Sequence, residues 1–280
     1  MRPLRPLGRD VVRRLRGHDV ALYAAGLTFY GGIAVLPTAL LAVWVAGLVL
    51  GAERTARLGG SLADALPDAV GAPDTVRAVV DAGAGLGWMT ALVALVPASL
   101  YGEGLRRAFV RLDEEDESHP GRRGRLGVLP LLAATPLLAV VVLLCARFFA
   151  GLAGGGPGSR ALGAYLALCL GWVLLTGPTA YVYRVLSPRT PGWRAALLAG
   201  STAAAFVAGF LQGFVLFLAI PLDLGRPFGG FGAVGACVAV ALWLWVLHLV
   251  VLVGYALSRT LDSPATPVAG DRQARLVLRG

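Results

Sequence analysis

Titratable and nucleophilic side chains are few in this 280-residue chain, and their spacing limits the chemistry open to it. The three histidines, His18, His119 and His248, stand far apart, so no two share a helical face as a His-Glu-x-x-His zinc site requires. Cys145, Cys169 and Cys237 fall in three different apolar runs and form no Cys-x-x-Cys pair; they read as small buried hydrophobes. No nucleophile with a neighbouring base can be named, and no glycine-rich phosphate loop follows a plausible strand. The sequence therefore predicts no enzyme, no metal and no cofactor.

What remains is a set of polar residues embedded in apolar runs, where burial is costly and a pathway or a helix contact is the usual reason for retention. Thr28, Tyr30 and Pro37 interrupt the first run, and Pro37 removes a backbone donor and is expected to kink a helix there. Gln212 sits inside Gly209-x-x-x-Gly213, a spacing that lets a neighbouring backbone approach while the amide bonds across the contact. Trp243 and His248 lie in the last run, and the imidazole is the one group there whose unperturbed titration falls near neutral pH. Glu103 and Arg184 close the second and fourth runs on the same predicted side, where they are candidates to pair across a vestibule. Pro227 to Gly232 is dense in glycine and leads into the last run, which fits either a hinge-like, re-entrant segment or a plain loop.

The elements that must hold these residues follow from composition. Hydrophobic residues make up 57% of the chain and charged ones 15%, with a mean hydropathy of +0.72. Soluble domains run at about 45–50% apolar and about 25% charged, so too little polar surface is available to coat a water-soluble particle. Charge-free runs occur at 20–52, 82–102, 126–146, 161–183, 195–222 and 227–258. A helix rises about 1.5 Å per residue and the hydrocarbon layer is about 30 Å thick, so each run crosses once. The expectation is an all-α polytopic membrane protein with six transmembrane helices, at about 27–50, 82–102, 126–148, 161–183, 195–219 and 232–258. The first run is too long for the h-region of a cleavable signal peptide and is expected to stay as an anchor.

All twenty-five basic residues are arginine, and nineteen of them fall on one side of these spans, which places both termini in the cytoplasm. Residues 1–19 form a basic amphipathic segment that either lies on anionic lipid or simply retains the N-terminus inside. Residues 20–260 form the membrane domain, and 261–280 a cytoplasmic tail expected to be disordered. Between spans, 53–81 is an outer insertion in which Leu58, Leu62, Ala65, Leu66 and Ala69 recur at helical spacing, predicting short amphipathic helices. The loop 103–125 carries Asp113 to Glu117 between arginine groups and reads as a solvated cytoplasmic turn.

Ala24-Ala25-Gly26-Leu27-Thr28-Phe29-Tyr30 followed by Leu36-Pro37 resembles the signature that opens the YihY/BrkB family of bacterial inner-membrane proteins. Tyr183-Arg184, Pro188, Trp193-Arg194 and Gly200 are similar to that family's link between its fourth and fifth spans. Phe231-Gly232-Ala233-Val234-Gly235, with Trp243 or Trp245 and Leu252-x-Gly254, resembles its final stretch. The resemblance covers about residues 10–260 and implies six spans with both ends inside. It also implies a role in serum resistance or in envelope lipid export. An older ribonuclease label for the family finds no metal-capable cluster in this sequence. Two positions depart from the family pattern: Gly254-Tyr255-Ala256 stands where a Gly-Ala-Glu is common, and the family's asparagine after the second span has no counterpart in a chain without asparagine.

The leading expectation is a transporter or exporter of an envelope or lipid-related molecule in the bacterial cytoplasmic membrane, with membrane lipids as partners, a lipid-related or small-molecule substrate and no nucleic acid. The alternative is a noncatalytic scaffold that gathers partners through its arginine-rich cytoplasmic loops.

Overall fold

In the computed structural model, residues 4–64, 66, 71–218, 220 and 222–263 are described, the side chains of 4–6, 146, 147, 150 and 153 apart. The described residues are helical with no strand: α1 (Leu4–Leu15), α2 (Val20–Leu50), α3 (Ala52–Ala63), α4 (Ala72–Ala84), α5 (Trp88–Leu112), α6 (Pro120–Ala153), α7 (Pro157–Val185), α8 (Trp193–Leu218) and α9 (Gly232–Asp262). A 3-10 turn, Arg226–Phe228, precedes α9.

α2 holds no charged residue, starts where the Asp19 carboxylate accepts the Leu22 amide at 3.1 Å, and ends at Gly51, whose φ of 88° suits glycine. It runs 31 residues through Pro37, about 46 Å of helix, and so outreaches a hydrocarbon layer of about 30 Å. Among the described residues, five helices are long and apolar enough to cross a membrane: α2, the Pro120–Cys145 part of α6, α7, α8 and α9.

α5 is not among these five, and the expected span at 82–102 is redrawn. Residues 82–84 belong to the end of α4, and α5 begins only at Trp88. At its other end it runs on through Glu103, Arg106, Arg107 and Arg111 to Leu112, which dilutes its apolar character. The expected loop 103–125 thereby shrinks to residues 113–119, because Glu103 and Arg107 form an i,i+4 pair that favours helix over loop. In the outer insertion, Leu58 and Leu62 lie on α3 while Leu66 falls beyond its end; Ala65 and Ala69 lie outside the described residues. The tail expectation for 261–280 lies outside them from residue 264 on, and Leu261 and Asp262 still belong to α9.

α2 is central, touching α3, α4, α5, α6 and α9, while α7 and α8 pack side by side and α1 lies against α9. A large core joins Leu27, Leu105, Phe109, Tyr183, Leu186, Leu252 and Tyr255 near the arginine-rich end. A smaller one joins Ala46, Leu58 and Leu143 near α3. Close crossings are built on small residues: a Cβ on Gly102 would stand 2.4 Å from the Gly124 carbonyl oxygen, and one on Gly200 2.7 Å from the Ala180 nitrogen. Many large apolar side chains point outward; Leu48, Val93, Leu137, Val173 and Leu216 are each 67–69% exposed, and all but Val93 lie on helices long and apolar enough to cross a membrane.

Candidate functional site

Two predicted residues meet in the bundle. The buried ring of His248 on α9 lies between α2 and α5, with Nδ1 3.1 Å from the Thr28 hydroxyl and Nε2 3.2 Å from the Tyr101 hydroxyl. Thr28 donates its own proton to the Ala24 carbonyl at 2.9 Å, and the backbone of Leu244 is a further hydrogen-bond partner of the ring; in the Nδ1–H tautomer the Thr28 oxygen accepts and Nε2 accepts from Tyr101. Both ring nitrogens thus have a hydroxyl within hydrogen-bond distance. Gly31 makes room for this ring, since a Cβ there would stand 3.1 Å from His248 Cε1. Sequence reasoning misses Tyr101; a tyrosine near a span end reads as an interfacial residue, and only the fold turns it toward α9.

The other intramembrane candidates have separate surroundings. Tyr30 lies against Gly104 of α5, where a Cβ would come within 2.6 Å of its ring. Trp243 donates to the Phe210 carbonyl at 2.9 Å and clusters with Phe210, Phe214 and Phe217 of α8. Gly209-x-x-x-Gly213 does not bring a backbone close: Gly209 faces open space and Gly213 meets the Trp243 ring, because a bulky indole occupies that side of α9. Gln212 is half-buried and has no side-chain hydrogen bond among the described residues. The close approach of α8 uses Ala196, Gly200, Ala204 and Ala208 instead, a four-residue repeat of small side chains readable in the sequence. Gly232 opens α9 in open space, where an added Cβ would meet nothing within 4 Å, and the preceding segment is a compact turn with Gly229 and Gly230 at φ of 67° and 88°.

Glu103 and Arg184 do not pair. The Arg184 guanidinium donates to the Pro191 carbonyl and lies 4.6 Å over the Trp193 ring, which fixes the α7–α8 turn. Glu103 is claimed by arginines of its own region. One oxygen accepts Arg107 Nε and Nη2 at 2.9 and 2.7 Å, and the other accepts Arg125 Nε at 2.6 Å.

The acidic run at 113–117 is only partly the solvated turn that its charge density predicts. The Asp113 side chain is fully buried and accepts from Tyr255 at 2.7 Å and from Arg259 at 3.3 Å, with Arg14 of α1 at 3.6 Å. Glu117 receives the fork of Arg106 at 3.0 Å on both oxygens and Arg123 at 2.9 Å. Arg106 also donates to the Leu186 and Ser187 carbonyls, tying α5 to the end of α7. Burial acts to raise the Glu117 carboxyl, but the hydrogen bonds and charges of Arg106 and Arg123 outweigh it and hold the group below its ordinary range. Glu114 between them remains exposed in a left-handed backbone conformation, φ 53°.

Among the described residues, one concavity of about 510 Å³ lies along α8 and α9 beside Gly209, Phe210, Gly213 and Trp243, and two others are of similar size. One, about 560 Å³, is an apolar groove between α2, α5 and α6 lined by residues such as Trp44, Trp88, Leu92, Leu95, Leu132 and Pro136. The other, also about 560 Å³, lies at the arginine-rich end between α5 and the start of α6 and is lined by polar and basic side chains. No group of three or more metal-ligating side chains converges among the described residues.

Long apolar helices with outward-facing aliphatic side chains, closed at one end by buried ion pairs, define an all-helical membrane protein. The chain belongs to the family described as virulence factor BrkB, whose model matches residues 11–276. No curated protein and no solved structure matches it.

Proposed function

We propose that this protein is a nonenzymatic carrier or exporter of an envelope or lipid-related molecule in the bacterial cytoplasmic membrane, crossing it six times with both termini inside. The observation that carries this reading is the apolar groove between α2, α5 and α6. Its walls are tryptophan, leucine and proline side chains, a lining that accepts an alkyl chain and offers a hydrophilic solute no partner. Six crossings include α5, whose uncharged stretch from Trp88 to Gly102 covers about 22 Å and reaches most of the way through the layer. Nineteen of the twenty-five arginines then share one side, which supports the inside placement of the termini.

The test is transbilayer movement of a fluorescent phospholipid analogue in vesicles holding the purified protein. Ala133→Trp, which fills the groove, is expected to slow movement while protein abundance stays constant; equal rates in the variant and the parent protein would overturn the reading. Reporter fusions at each terminus test the topology separately, and an exported reporter at either end would refute it.

A further inference from the structure

The concavity at the arginine-rich end has a chemistry of its own. Arg107, Arg122 and Arg125 surround it, with Ser118, His119 and the first turn of α6 completing the wall. A single carboxylate, Glu103, lies at its base. Glu103 engages Arg107 through Nε and Nη2 and Arg125 through Nε alone, so Arg107 Nη1 and both terminal nitrogens of Arg125 keep their protons for another acceptor. Those heads are reachable, with side chains 53% and 44% exposed. Arg122 has no ion pair or side-chain hydrogen bond among the described residues. Three guanidinium charges thus face one carboxylate that positions two of them without using them up. Gly121 makes the arrangement possible, because a Cβ there would stand 3.0 Å from Glu103 Oε1 and 3.2 Å from Arg107 Nη2.

We propose that this cavity is a binding site for a phosphate-type oxyanion, held by Arg107, Arg122 and Arg125 at the arginine-rich end of the α5–α6 pair. Planar guanidinium forks match tetrahedral oxyanions, and donors prepositioned by a buried carboxylate lose little freedom on binding. The amides in the first turn of α6 add partial positive charge to the same space. The volume exceeds that of a lone phosphate, and an exposed apolar side chain, Leu126 of α6, completes the lining. A lipid headgroup and a soluble phosphate share the chemistry, and the experiment separates them.

The protein is placed in nanodiscs of phosphatidylcholine with a minority of phosphatidylglycerol, and lipids that stay bound on release are counted by native mass spectrometry. In parallel, inorganic phosphate is titrated calorimetrically into protein in nanodiscs of phosphatidylcholine alone. The double variant Arg107→Gln and Arg122→Gln removes two forks, and Arg122→Gln alone touches no internal bond, so its folding is not at risk. Retained phosphatidylglycerol that falls about tenfold or more in these variants identifies a lipid headgroup; a saturable phosphate isotherm weakened by that factor identifies a soluble ligand. Arg57→Gln, exposed on α3 at the other end of the bundle, is expected to change neither. Absence of both signals, or signals that the Arg122 variant leaves intact, would overturn the assignment. Neither readout measures transport, so the site stands or falls independently of the carrier reading.

Discussion

The two ends of the bundle use the same residue types under opposite conditions. At the arginine-rich end, Asp113, Glu117, Arg106 and Arg259 have side chains no more than 10% exposed and are bonded across α1, α5, α7 and α9. At the other end, the pairs of Arg77 with Asp64 and Asp74, and of Arg57 with Glu53, are open to solvent on α3 and α4 or at their ends. Buried charges are costly to leave unpaired, whereas exposed pairs are screened and weak. The difference assigns the two ends different work: one is locked by buried charge, and the other is held by apolar packing, with Leu58 against Ala46 and Leu143, Gly59 against Val80 and Gly83 against Val43.

Asp113→Ala is expected to have the largest effect. It leaves the Arg259 guanidinium, the Tyr255 hydroxyl and the Arg14 ion pair without their common acceptor, at a cost of about 3–5 kcal/mol, the range for breaking a buried pair. Thermal unfolding in detergent micelles reads it. A midpoint close to that of the parent protein would mean that the buried lattice does not lock this end.

Backbone crossings sharpen the same contrast. Gly124→Ala places a methyl 2.3 Å from the Gly102 carbonyl oxygen, with Glu103 and Arg106 as the next neighbours, and is expected to cost about 1–3 kcal/mol or more by forcing α5 and α6 apart. Gly60→Ala on α3 meets nothing within 4 Å and is expected to stabilise by about 0.5–1 kcal/mol through helix propensity. Opposite signs in paired melts support a tight α5–α6 crossing at Gly124 against an open face of α3 at Gly60; equal signs contradict it.

Part of this is legible in the sequence. The charge-free runs locate α2, α6, α7, α8 and α9 because an absence of charge is itself the membrane signal. They misplace α5, since helix and hydrocarbon boundaries differ: the helix continues through Arg106 and Arg107 while the apolar stretch stops at Gly102. His248 and Thr28 stand out as polar residues in apolar runs. Their partner Tyr101 does not, because pairing across 147 positions is a property of the fold. For the same reason Asp113 and Glu117 read as a solvated turn: their burial is set by Arg106, Tyr255 and Arg259, and local charge density carries no trace of those distant partners.

Acid is expected to loosen the arginine-rich end by a smaller increment. The Glu117 carboxyl titrates lower in the fold than its ordinary value of 4.5, so the folded state binds fewer protons there than the unfolded chain. Its contribution is therefore complete above that value and fades as pH falls through the depressed one. Unfolding midpoints collected from pH 6 downward test this, with Glu117→Gln expected to be less stable near neutrality and to show a shallower acid decline. An unchanged decline in the variant would remove Glu117 from the clamp.

The smallest effect is expected for Arg77→Ala, and it bears directly on the contrast between the ends. Arg77 looks well connected, donating to Asp64 at 2.7 Å and to Asp74 at 3.1 Å, yet all three side chains are open to solvent and screened by salt. Geometry alone would rank it beside Arg106, whereas exposure ranks it far below. The variant is expected to melt with the parent protein, at both low and high ionic strength. A loss comparable to that of Asp113→Ala would show that hydrogen-bond geometry, and not burial, sets the strength of ion pairs in this protein, and the distinction between an end locked by buried charge and one held by apolar packing would not stand.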